Sequence, residues 1–221
     1  MGDSDLPNPV KNVTDRTSNP FGMRPPFERN DPGTHPAVFG YGDANADFHV
    51  IGDHPGVHGG ATTGVPFTET DAGLAVQTVT RALEFASGPT DLPVLENCFW
   101  NYVHMCTLNG GRTPTAAEYD ELERYFDAEL RAINAHILIP IGEHATDHVL
   151  EEYTTQRHRF GEDLDMADLH GRDIRGRGFL VVPVRDPTEW EAGDQERIVS
   201  ALEAILYSDY RQTKGVATMV G

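Results

Sequence analysis

Apolar residues along the chain gather into short continuous runs, separated by stretches with helical spacing. The runs are DFHVI (Asp47–Ile51), VLENCFWNYVHM (Val94–Met105), HILIPI (His136–Ile141) and FLVVPV (Phe179–Val184). Short runs rich in branched and aromatic residues predict strands buried on both faces. Between them, the spacing of Leu74, Val79, Ala82, Leu83 and Ala86 predicts a helix over Thr70–Ser87, stopped by Ser87-Gly88-Pro89. Thr115-Ala-Ala-Glu118 is a capping box, in which hydroxyl and carboxylate satisfy free backbone donors at a helix start. The helix it opens runs to about Ala135, with Leu122, Phe126, Leu130 and Ile133 on one face. A helix follows Gly142 through Glu152, and a last one spans Asp194–Leu206 with Ile198, Leu202, Ile205 and Leu206 inward. Arg157–Gly178 is polar and without period.

Strands alternating with helices predict an α/β fold, a three-layer α/β/α sandwich around a central, mainly parallel four-stranded sheet. Residues 1–40, rich in Pro, Asn and Asp, read as an extended arm. Residues 41–207 form the domain and 208–221 a loose tail. In such folds the site lies beyond the carboxyl ends of the strands. That rule brings together GDHPG (52–56), the end of FWNYVHMC (99–106) and RDPTEW (185–190).

Composition narrows the setting. At 221 residues the chain suits one domain with a full core. No apolar run approaches a membrane span, and MGDSDLPNPVKNVTD lacks the basic and apolar regions of a secretory signal. Cys98 and Cys106 are the only cysteines, which excludes a disulfide framework and fits a cytoplasmic protein. Net charge is −18, and Lys11 and Lys214 are the only lysines, a balance like that of proteins from salt-loving archaea. Such charge weighs against DNA binding in ordinary buffer. It says little at molar salt, where the Debye length is about 3 Å.

The chemistry concentrates in VIGDHPGVHGGATTGVPFT (Val50–Thr68). His49, His54 and His58 with Asp53 suggest zinc, but their spacing matches no zinc motif. His144 and His148 sit at i, i+4 without the HExxH order and read as an exposed helix face. GDHPGVHGG is neither GxGxxG nor a Walker loop, although glycine amides there suit a single phosphate or a polar ring edge. No metal and no cofactor is expected. Asp53, directly after a strand, is placed to orient a water or stabilise a cation, or else caps a turn. Phe67 in GVPFTET is either a stacking platform or the plug of the loop.

One ordered set of segments carries a resemblance: GDHPG (52–56), GVPF (64–67), GRTPT (111–115), ELRAINAHILIPIGEHA (129–145), LHGR (169–172) and VPVRDP (182–187). Together they resemble the uracil-DNA glycosylase superfamily, most closely its family-4-type branch and related archaeal proteins, over about Gly40–Leu206. The resemblance implies a monomeric enzyme that excises uracil or a related deaminated base from DNA. Asp53 is then the water-activating acid, within a loop including Gly52 and His54, and Phe67 the aromatic under the flipped base. Asn101 or Asn97 would read the base edge, although counting back from Cys106 places Tyr102 at the usual Asn. RDPTEW stands in place of the motif that supports the leaving base, with Asp186 where the family has histidine. A carboxylate there cannot stabilise an anionic leaving base unless protonated. Arg185 or His54 would have to substitute, and Trp190 is the candidate strand wedge. The cysteines of the family's iron–sulfur cluster are lacking apart from Cys106, so the arm is expected to pack in its place. The alternative to an enzyme is a superfamily member that binds nucleic acid or a nucleobase without cutting.

Overall fold

The computed structural model describes residues 35–208. The expected arm before residue 35 and the tail after 208 lie outside the described residues. The elements are β1 (Tyr41–Gly42), β2 (Phe48–Gly52), α1 (Pro55–His58), α2 (Asp71–Ala82), β3 (Ala86–Ser87), β4 (Val94–Leu95) and β5 (Cys98–Tyr102). Then come α3 (Ala116–Ile133), β6 (Ile137–Pro140), α4 (Glu143–Thr154), α5 (Met166–Leu169), β7 (Ile174–Gly176), β8 (Phe179–Val181) and α6 (Asp194–Leu206).

The central sheet has six strands in the order β1-β5-β2-β6-β8-β7. Its four inner strands are parallel, and the two edges, β1 on β5 and β7 on β8, are antiparallel. The expected four-stranded sheet is therefore corrected to a mixed sheet of six. The added edges are two and three residues long, too short to show a period of two. A further correction lies in Val94–Met105. The run splits at Asn97, whose φ of 53° breaks the strand, and β4 pairs with β3 in a separate ribbon. The helix foreseen over Thr70–Ser87 ends at Ala82, because Ala86–Ser87 is that ribbon's other strand.

Each inner strand is buried on both faces, as its sequence requires. On one face Phe48, Val50, Trp100, Tyr102, Ile137 and Ile139 pack with Val76 and Val79 of α2 and Ile198, Leu202 and Ile205 of α6. On the other, Ile51, Leu138 and Val181 pack with Phe126 and Leu130 of α3, Val149 and Leu150 of α4, and Leu169 of α5. Register sorts the faces: His49 opposes Phe99 and Ile51 opposes Asn101, so these four point toward α3, while Trp100 and Tyr102 point toward α2.

The α3 face also buries a carboxyl. Glu129 is 2% exposed and accepts from Gly40 N–H at 2.9 Å and from the Asn101 amide at 3.1 Å. Burial pushes its pKa up to about 7 against those two hydrogen bonds. Burial likewise holds nearby His49 neutral, down to about 4. The folded Glu129 keeps its proton where an unfolded glutamate, at 4.5, has lost it. Its contribution to stability is therefore complete below about 4.5 and is lost as pH rises through about 7. Denaturant titrations of wild type and Glu129→Gln should show a stability difference that declines over that window by on the order of 3 kcal/mol. A difference independent of pH would place Glu129 in contact with water.

Candidate functional site

β2, β5, β6 and β8 all end at one rim of the sheet, and the loops beyond them build the site. β2 stops at Gly52, where any Cβ would sit 2.7 Å from the Tyr102 ring and 2.9 Å from His58 Nδ1. The next carboxylate, Asp53, leans toward α3: the Tyr119 hydroxyl donates to its Oδ1 at 2.5 Å. Burial and the negative Asp53 beside it raise the Tyr119 pKa, so Tyr119 is a donor and Asp53 stays the acceptor. His54 is buried and caps α1, its Nδ1 accepting from Gly56 N–H at 3.1 Å. Burial lowers its pKa, opposed by Asp53.

His58 ties two loops together. Its Nδ1 accepts from the Asp53 N–H at 3.1 Å, so its ring proton sits on Nε2, 3.4 Å from Asp186 Oδ2. A ring that accepts at one nitrogen is neutral. Asp186 also caps the turn at Pro187–Glu189, where its Oδ1 accepts from Thr188 N–H at 2.9 Å and Thr188 Oγ at 2.6 Å. Burial alone would raise the Asp186 carboxyl, but the donors from His58 and Thr188 outweigh it and hold its pKa below the usual carboxylate range. It is an anion at neutral pH.

Phe67 is fully buried, with φ at 57°. Its ring lies 5.3 Å from Tyr102, 5.6 Å from Trp100 and 5.7 Å from His58, centroid to centroid. The Tyr102 hydroxyl accepts from Phe67 N–H at 2.7 Å and donates to Gly59 C=O at 3.0 Å. Gly59 has φ of 90°, and a Cβ there would overlap Thr68 C=O, so the loop closes only with glycine at this point. Loop, Phe67, Tyr102 and His58 therefore form one packed unit, with His58 and Tyr102 rings near parallel at 6.3 Å.

The open space is next to it. A cleft of about 520 Å³ is lined by Asp53, Gly142, His144, Arg185, Asp186 and Thr188 among others. His144, in the first turn of α4, lies over the Tyr119 ring at 4.0 Å. Arg185 is held from two sides. Its N–H donates to buried His170 Nδ1 at 3.0 Å, and its guanidinium faces Glu189, Glu191 and Asp194 at 3.5–3.8 Å. His170, from LHGR, is fixed through Nε2 on Asp194 C=O at 2.8 Å. Trp190 donates to Arg185 C=O at 2.7 Å and packs against the α2-side core.

The structure thus brings Asp53, Arg185 and Asp186 onto one cleft, with Gly52 and His54 in its supporting loop. Phe67 sits behind that loop. Asn97 is at the opposite end of β5, where its Oδ1 accepts from Asp47 N–H. Asn101 is spent on Glu129 under α3. Among the described residues no three His, Cys, Asp or Glu side chains converge as a metal set, and Cys98 and Cys106 are both buried and form no disulfide. Sequence reasoning missed Tyr119 and His144, which face the site from two helices, and gave His58 no role. The one available signal for Tyr119 was its position directly after the capping-box glutamate.

As Phe67 is core, Phe67→Ala should cost about 3–5 kcal/mol of stability in chemical denaturation. Tyr102→Phe, which strands a buried N–H, should cost about 1–3 kcal/mol. Unchanged stability in both would mean that the loop stands open in solution.

No curated protein matches the chain. A family model, that of the uracil DNA glycosylase superfamily, matches residues 39–201, which takes in every strand from β1 to β8 and every loop of the cleft. On that match over most of its length, the chain belongs to the uracil DNA glycosylase superfamily.

Proposed function

We propose that the protein is a DNA glycosylase that hydrolyses the bond between an altered base and deoxyribose, with Asp53 as the acid that orients water. The observation that carries this reading is the Asp53 carboxylate at the cleft, one oxygen engaged by Tyr119 at 2.5 Å. Its other oxygen is left to align a water and to stabilise the sugar cation as the bond breaks. Gly52 and His54 support by shaping the loop, and Arg185 supplies a cation beside the cleft. A nucleotide must leave the duplex to reach this place.

The uracil reading fits less well. It needs an open Phe67 face and an amide at the base edge, whereas Phe67 is covered and Asn97 and Asn101 are engaged elsewhere. The covered Phe67 and anionic Asp186 favour a second reading, a member that binds nucleic acid or a nucleobase without turnover. The acidic, lysine-poor composition sets the assay in molar potassium chloride, and DNA in a cytoplasmic setting as the partner. Among the described residues, no helix is long and apolar enough to cross a membrane.

Base release should be measured from DNA carrying deaminated or alkylated bases. Asp53→Asn should lower it by about 100-fold or more. DNA binding with no release of any base would instead establish the second reading.

A further inference from the structure

Carboxylates dominate the charged lining of the cleft. Asp53, Glu143, Asp165, Asp186 and Glu189 line it, against a single guanidinium, Arg185, already shared among three carboxylates. Asp186 is not neutralised by its neighbour. His58 spends Nδ1 as an acceptor from Asp53 N–H, so what it turns toward Asp186, at 3.4 Å, is an uncharged N–H. Thr188 adds two further donors to the same carboxylate, an environment that favours the ionised form. His58 is itself fully buried, its Nε2 meeting nothing but Asp186 at 3.4 Å. The negative charge therefore belongs to the folded site and does not depend on a mobile surface group.

A base that departs as an anion would be repelled here. One that is cationic before the bond breaks would be attracted. We propose that the substrate class is DNA carrying a positively charged, ring-alkylated purine, such as 7-methylguanine or 3-methyladenine, with Asp186 as the carboxylate that faces its charge. This rests on the glycosylase reading and names the base for it. In the reaction the electron pair of the C1′–N bond goes to the base and cancels its positive charge, so it leaves neutral. Water oxygen bonds to C1′, and the water's proton passes to the Asp53 carboxylate and on to solvent. No acid is needed for the leaving group, which suits a site without a cationic histidine at this position.

The test compares dimethyl-sulfate-treated duplex DNA with uracil-containing DNA in molar potassium chloride, spontaneous depurination being subtracted. The wild type should release methylated purines at least about tenfold faster than uracil. Asp186→Asn, which keeps the cap on Thr188, should reduce methylpurine release by about tenfold. Uracil release as fast as methylpurine release, or an unaffected Asp186→Asn, would overturn the charge proposal while leaving the glycosylase reading standing. Release of neither would overturn the charge proposal, and no release of any other deaminated base either would overturn the glycosylase reading with it.

Discussion

The Tyr102 hydroxyl holds the site loop to the sheet. It stands at the end of β5, accepts from Phe67 N–H and donates to Gly59 C=O, so both ends of the 59–67 excursion depend on one buried oxygen. Fully buried, it has no water to substitute for either partner, and losing it would strand both backbone groups. The ring beneath that oxygen sets the height of His58, which stacks on it and reaches from Asp53 N–H to Asp186. Two loops separated by over a hundred residues are thereby spaced by one tyrosine and one imidazole. Gly52 completes the arrangement by leaving room for both rings.

That packing divides two spaces that sequence reasoning had merged. The region over Phe67 is solid protein, and the region between Asp53, α4 and Asp186 is open. The donors and acceptors that fix the open cleft are all secured from behind. Tyr119 from α3 engages Asp53, His58 and Thr188 engage Asp186, and His170 engages the backbone of Arg185. Side chains held in this way keep their geometry without a ligand, which is what electrostatic stabilisation of a reacting group requires.

The four parallel strands were legible because they are largely buried on both faces and so read as mostly apolar runs. The rule that sites sit at strand ends pointed to the rim where Asp53, Arg185 and Asp186 line one cleft. Edge strands of two and three residues carry no period and went unseen. Asn101 and Tyr102 illustrate a sharper limit. Adjacent residues of a strand face opposite layers, so a choice between them depends on register, which the pairing of β2 with β5 decides and local sequence does not. Tyr119 and His144 come from helices whose rotation is set by packing on the sheet. Their approach to Asp53 has no counterpart in spacing along the chain.

The charge of the cleft turns on an ionised Asp186 facing a neutral His58. Nitrogen-15 NMR of the His58 ring at pH 7 reads that state directly, since the two nitrogens shift apart when only one is protonated. The prediction is a neutral ring with its proton on Nε2 and an acceptor signature at Nδ1. A doubly protonated imidazolium, or a proton on Nδ1, would contradict it.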